Sequence, residues 1–475
     1  MAKSNRLIKN MIFYFLGTFS TKLLQFLFIP LYTIYIETSD FGYFNLVMSL
    51  VALSVPLLYQ SVWEGVLRFA IEKQNDKMTI LSTTSSYCLV LTTIYSIVFL
   101  LITKTFRMQY GTLILMMALG QMGVSYWQFS ARALNENKLY SISTVANAAV
   151  TITLNFVLIV VLKWGLMALF LSNTVGSLVM IAILEFRLHL LRNAVTGGLN
   201  LSLLRDILKY SFPLSINALS WWLITSCNSL VISQRIGIDQ NGIYSIASRF
   251  GAIMTLVTSV VNMAWLEESF RIYGNKESDE YFNNVFDLLT RVTLSGVSLL
   301  IPVTYVFYSL FVFGGYSRGV GLTPIVYLNA AFATFASYLG SGFLARKESN
   351  VIFQTTLLAG IISTGGGYVV APIFGLMGVV VTSLIGSIFM YAIRIPLLHR
   401  RMLLEINHNR VIGLTILCVT VMFASNFNAY SVPHQITVFL ITALITYIAN
   451  RQIIATLVQR IGKKMESHKR SAHRM

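Results

Sequence analysis

Two stretches of this chain, 210 residues apart, carry nearly the same apolar helix: Trp164–Met180 reads WGLMALFLSNTVGSLVM, and Phe374–Met390 reads FGLMGVVVTSLIGSIFM. Aligned without a gap, they share Gly165/Gly375, Leu166/Leu376, Met167/Met377, Gly176/Gly386, Ser177/Ser387 and Met180/Met390. A repeat at this distance implies an internally duplicated chain. In membrane proteins such duplication most often builds a transporter with its site between the repeats.

That the chain is a membrane protein follows from how little of it can face water. It is 56% hydrophobic and only 11% charged, against about 25% charged residues in ordinary globular domains. Apolar runs of roughly 20 residues, the length that crosses a bilayer as a helix, recur from end to end. We read an all-α integral membrane fold with 14 transmembrane spans. They lie near 11–34, 42–62, 84–104, 112–132, 141–162, 165–186, 211–232, 241–264, 289–313, 325–344, 351–371, 374–395, 411–428 and 434–456.

The net charge of +17 is explained by topology, so no nucleic-acid partner is expected. One alternate set of connections, with both termini, holds 28 of the 35 Lys and Arg, and the other set holds five. Lys22 and Arg249 fall inside spans. The asymmetry predicts a multi-pass protein with cytoplasmic N- and C-termini. The two matched helices are spans 6 and 12, six crossings apart, so the repeats should share one orientation. The expected organisation is an N-terminal lobe over 1–186, a cytoplasmic linker over 187–210, a C-terminal lobe over 211–395, and a helix pair with a basic tail over 396–475. A weaker echo, Asp40-Phe41-Gly42-Tyr43-Phe44 against Gln240-Asn241-Gly242-Ile243-Tyr244, supports the same duplication.

An ionisable group near the bilayer centre costs about 2.5–3.5 kcal/mol on insertion scales, so Lys22 and Arg249 are functional candidates. Lys22 shares a face with Thr18 and Gln25. Arg249 lies on a stripe of Ser245, Ala252, Thr255, Ser259 and Asn262. Further polar faces are Ser143/Asn147/Thr151/Asn155 and Asn217/Trp221/Thr225/Asn228; such faces either line a cavity or bond helices together. No Asp or Glu falls deep in a span. Glu64 sits four residues before Arg68, where a local ion pair is expected. Fixed deep cations suit an anionic cargo such as phosphate or pyrophosphate, and Tyr14, Trp221 and Trp222 offer surfaces for sugars. The three cysteines are isolated, and no GxxxxGK[ST] loop appears. No metal or other cofactor is expected; coupling to a proton or sodium gradient stays open.

The N-terminal pattern Asn10, Gly17, Lys22 and FIPLYTIYIETSDFGYFNLVMSL, the Arg68-Phe69-Ala70 boundary, Ala131-Arg132-Ala133 and Gly165-Leu166 resemble the polysaccharide (O-antigen-type, Wzx-like) flippases of the multidrug/oligosaccharidyl-lipid/polysaccharide exporter superfamily. The resemblance implies a non-enzymatic flippase of a bacterial cytoplasmic (inner) membrane. Its implied cargo is an undecaprenyl-pyrophosphate-linked oligosaccharide, moved to the outer leaflet by alternating access. Membrane lipids and the polysaccharide polymerase machinery are its expected partners. On this reading Lys22 and Arg249 contact the pyrophosphate, and Arg68 and Arg291 capture it from the cytoplasmic side. Gln25, Asn217, Trp221 and Asn262 complete the candidate site. O-antigen, capsule and exopolysaccharide pathways are not distinguished. The rival from the same superfamily, a cation-coupled drug antiporter, calls for a membrane-buried carboxylate. An enzyme of lipid-linked sugar assembly calls for a large outer catalytic loop. Neither is visible.

Overall fold

A computed structural model describes residues 26–72, 76–196, 198–254, 278–346 and 348–451. Among these there is no β-strand. The helices are α1 (Ile29–Tyr35), α2 (Thr38–Leu58), α3 (Val62–Glu72), α4 (Lys77–Phe106), α5 (Gly111–Ala133), α6 (Asn137–Phe156), α7 (Leu166–Leu188) and α8 (Leu190–Thr196). They continue with α9 (Leu201–Thr225), α10 (Cys227–Arg235), α11 (238–254), α12 (Ser278–Phe311), α13 (Thr323–Ala345), α14 (Ser349–His399), α15 (His408–Phe427) and α16 (Val432–Arg451). Nine described helical segments are long and apolar enough to cross a membrane. α5 and α9, 23 and 25 residues long, have the length but are more polar.

The sequence repeat is a structural repeat. Gly165 (φ 55°, ψ −129°) and Gly375 (φ 58°, ψ −146°) occupy the same backbone region, which is essentially closed to residues with a Cβ. Both turn the chain into the copied helix. Beyond the turn, Gly176 presses against Asn147 and Thr151 of α6, while Gly386 presses against Ala359 and Ser363. Ser177 packs against Gly120 of α5, and Ser387 donates to Asn329 Oδ1 of α13 at 2.6 Å. Met180 and Met390 are both fully buried.

Spans 11 and 12, expected as separate helices, are the two legs of α14. Its 51 residues would run about 76 Å if straight, more than twice the ~30 Å hydrocarbon core. Because Gly375 breaks the helical dihedrals, the legs fold back on each other, which is what brings Gly386 against Ala359 and Ser363.

Other boundaries differ too, some of them for visible local reasons. Span 2 starts four residues early, at Thr38, and stops at Leu58, where Gln60 and Ser61 adopt positive φ. Span 7 begins at Leu201, because the Asn200 side chain accepts from Leu203 N and caps the helix. The chain ahead of it contains a short helix, α8. Glu185 accepts from the N–H groups of Leu190 and Leu191, both 2.9 Å, and so satisfies its first turn. Span 7 is also interrupted at Ser226, and the carbonyl there accepts from Ser49 Oγ of α2 at 2.6 Å.

Candidate functional site

The helices of the first half meet those of the second along α2–α9, α2–α10 and α3–α9. At one end of this seam the backbones nearly touch. A Cβ on Gly42 would stand 1.8 Å from Ile238 O, and one on Gly242 would stand 1.9 Å from Thr38 O. Thr38/Ile238 and Gly42/Gly242 are each 200 residues apart, so the contact has the form of a two-fold between repeats. It also explains the Gly42/Gly242 echo in the sequence. Hydrogen bonds lock it. Asn241 Nδ2 donates to Gly42 O at 2.8 Å, Ser229 Oγ to Asn241 Oδ1 at 2.8 Å, and Asn45 Nδ2 to Ser229 Oγ at 3.0 Å. Tyr316 OH reaches the carbonyls of Ile36 and Glu37 at 3.1 and 2.9 Å.

Arg249 lies two helical turns along α11 from Gly242. Its guanidinium carbon is 4.8 Å from the Tyr32 ring centre and 4.9 Å from that of Phe41. A second-half cation is therefore held between two first-half aromatic faces, an arrangement that gains about 0.5–2 kcal/mol per ring. Phe41 is next to Gly42, so the cation and the seam share one piece of α2. Tyr32 and Phe41 lie in the N-terminal run that carries the family resemblance, but nothing in the sequence pairs either of them with Arg249.

The other expected site residues are less concentrated. Lys22, Gln25 and Asn262, and also Tyr14, lie outside the described residues. Arg68 is exposed, with its guanidinium 5.9 Å from the Tyr210 ring of α9. Asn217 is partly buried and Trp221 is 36% exposed on α9. Arg291 is ion-paired: its Nε donates to Asp287 Oδ2 at 2.8 Å, and the other oxygen of that carboxylate takes Arg410 from α15. It belongs to a cluster of two cations and one anion.

Two expectations, on Trp222 and Glu64, need correction, and two polar faces take one of the two roles left open for them. Trp222 is not a sugar surface. It is 8% exposed, and its Nε1 donates to Ser49 O at 2.7 Å across the seam. The Ser143/Asn147/Thr151/Asn155 stripe bonds helices together: Ser172 Oγ donates to Asn155 Oδ1 at 2.7 Å, and Thr151 Oγ1 to Ser172 O at 3.4 Å. Asn228 likewise donates to Ser383 Oγ at 2.7 Å. Glu64 faces Arg132 of α5, not Arg68. Burial raises its carboxyl above the usual range, while Arg132 opposes the shift.

A third buried cation, Arg394, falls by sequence at the very end of span 12 and is only 1% exposed. It donates to Thr355 Oγ1 (3.0 Å), Ala336 O (2.6 Å), Thr356 Oγ1 (2.9 Å) and Ile352 O (3.2 Å). It joins both legs of α14 to α13. Gly340 makes room, since a Cβ there would be 3.0 Å from Nη1. This arginine is structural, because neutral acceptors from two helices take up its fork.

A helix entered through a positive-φ glycine in both halves, a glycine seam between them and a cation beside that seam belong to a fold shared with solved membrane flippases and multidrug transporters. The lipid II flippase MurJ in its inward closed conformation superposes with a TM-score of 0.73 at 14% identity, over 94% of this chain and all of that one. An inward-facing multidrug resistance MATE family transporter of the MOP superfamily gives 0.67 at 15%, covering 83% of this chain and 96% of its own. These likenesses establish the fold. The sequence matches the polysaccharide biosynthesis protein family over residues 7–266, more than half its length, and the chain belongs to that family. No curated protein matches it.

Proposed function

We propose that this protein is a flippase for undecaprenyl-pyrophosphate-linked oligosaccharide repeat units. It would carry them from the cytoplasmic to the outer leaflet of a bacterial inner membrane, with both termini cytoplasmic. The working parts are two six-helix lobes, 1–186 and 211–395, joined by 187–210 and followed by a helix pair. The observation that carries the reading is Arg249, a cation deep in α11 at the junction of the repeats and held between aromatic faces. An incoming pyrophosphate would offer charge-assisted bonds of roughly twice the strength of neutral ones. The lipid tail stays in the bilayer while the head group crosses.

The Gly42/Gly242 seam lies at the end of the seven loops poor in Lys and Arg, which the positive-inside rule assigns to the outside. On this reading it serves as the closed outer gate. Rocking of the lobes would part it and draw Phe41 and Tyr32 off Arg249, which couples release of the cargo to gate opening. The likeness to MurJ, a flippase for lipid II, supports this reading, as does membership of the polysaccharide biosynthesis family.

The test is Arg249→Ala in cells that depend on this protein for surface polysaccharide. Polysaccharide should vanish while protein level and membrane insertion hold. Arg249→Lys should keep part of the activity if long-range attraction outweighs a bidentate grip. Normal polysaccharide in Arg249→Ala removes this residue from the mechanism.

A further inference from the structure

α5 is packed over much of its surface. Met117, Ala118, Met122, Tyr126, Ser130 and Ala131 are all buried. One polar strip differs: Gln121, Ser125, Gln128 and Arg132 are each only partly buried. Their spacing of four, three and four residues puts them in one line along the helix. Polar side chains in such a line on a spanning helix face protein or a water-filled cavity, since hydrocarbon offers them no partner.

The upper part of the strip forms one wall of a cavity of about 220 Å³. Met48, Val51, Ala52 and Val55 of α2 form the facing wall, and Trp63 of α3 closes one side. Ala52 is on the same face of α2 as Asn45 and Ser49, so the cavity adjoins the inter-lobe seam. Among the described residues no charged side chain lines it. Among the same residues the Gln121 amide has no hydrogen-bond partner, and the Ser125 hydroxyl donates only to Gln121 O, at 3.1 Å.

We infer that this cavity is a saccharide subsite in the N-terminal lobe, which takes an uncharged sugar beyond the first of the repeat unit while Arg249 takes the pyrophosphate. The inference rests on the flippase reading. A pyranose presents two kinds of surface, hydroxyl edges and an apolar C–H face. Gln and Ser each supply both donors and acceptors, which matches hydroxyls of either role. The indole and the α2 aliphatics supply the apolar counterpart. The uncharged lining matters, because a lining acid or base would favour an ionic ligand, and a fully apolar lining would favour a lipid chain. Arg132 stands at the far end of the strip, away from the cavity wall.

The experiment uses full-length protein in proteoliposomes and two probes. One is the native lipid-linked repeat unit, extracted from cells that lack the flippase. The other is the same carrier trimmed enzymatically to its first sugar. Gln121→Leu with Ser125→Ala should slow transport of the full repeat unit about tenfold and leave the trimmed carrier within twofold of wild type. Equal loss for both probes, or no loss for either, overturns the subsite. If wild-type protein moves neither probe, the flippase reading itself fails, and this inference fails with it.

A labelling readout covers the case in which the double variant folds poorly. Gln121→Cys should react with a membrane-impermeant maleimide well above wild type, whose three native cysteines are buried. The full repeat unit should protect the new thiol and the trimmed carrier should not. A thiol that fails to react in Gln121→Cys, or that both probes or an amphipathic drug alone protect equally, sinks the proposal.

Discussion

The tightest constraint on the proposed cycle is the glycine seam, and Gly42→Ala tests it. The added methyl would lie 1.8 Å from Ile238 O and 2.8 Å from Gly242 N. Both are backbone atoms and cannot rotate away. Ordinary contact begins at 3.4 Å, so α2 must retreat from α11 by about 1.6 Å, the difference between 3.4 and 1.8 Å. That movement stretches the Asn241–Gly42 bond, now 2.8 Å, and the Asn45–Ser229 bond, now 3.0 Å, past hydrogen-bonding range. Two lost bonds cost about 2 kcal/mol, and residual overpacking adds about 1 kcal/mol or more. Roughly 3 kcal/mol shifts the closed-to-open ratio by more than about a hundredfold. Spin labels at Ser39→Cys and Asp239→Cys, two exposed positions flanking the seam, report this as a distance distribution by double electron–electron resonance. The wild type should show a short-distance population that Gly42→Ala replaces with a longer one, and transport should fall. If the distribution and transport both match wild type, the seam is not a gate and the two-state argument fails.

Three further outcomes are expected. Gly165→Ala and Gly375→Ala should each destabilise the protein by about 1–3 kcal/mol and to a similar degree, because the dihedrals match and neither Cβ meets an atom within 4 Å; unequal melting shifts in detergent would count against structural equivalence of the repeats. Arg394→Leu removes four hydrogen bonds that join α13 to both legs of α14. Charged bonds of this kind are worth about 1.5–3 kcal/mol each before compensation, so the net loss should reach at least about 3 kcal/mol. A melting temperature equal to wild type would refute that role. At Glu64 the folded carboxyl is raised by burial, so the folded state holds its proton more tightly than the unfolded one. Stability should therefore fall as pH rises from the ordinary carboxyl value of about 4.3 through the raised value. Glu64→Gln should flatten that fall in a melting series against pH, and an unchanged slope would exclude Glu64 as its source.

What could be read from the sequence, and what could not, divides along physical lines. The copied helices are legible because a glycine held at positive φ and the small residues behind it tolerate little substitution. Gly165/Gly375 and Gly176/Gly386 duly recur in both copies. The bilayer requirement is legible because it acts on every residue of a span. Helix ends are less so: Asn200 and Glu185 act as caps only once the chain has turned, and Leu201 rather than residue 211 opens α9. The Gln121/Ser125/Gln128/Arg132 spacing is present in the sequence, yet periodicity alone does not separate a cavity wall from a bonded helix face. The Ser143–Asn155 stripe has the same kind of spacing and went the other way.

By itself, then, the sequence determined a duplicated, all-helical, membrane-embedded chain with an arginine at position 249 that had to find a partner out of lipid. The fold decided who that partner is. Tyr32 and Phe41 come within 5 Å of Arg249 across more than 200 residues of chain, a contact that no local pattern encodes. Tertiary packing also separated the three arginines. Arg394 is taken up by neutral acceptors and Arg291 by a carboxylate, whereas Arg249 packs against the rings of Tyr32 and Phe41. The same guanidinium chemistry gives a structural pin, an ion cluster or a cation set against aromatic rings, according to the groups that surround it.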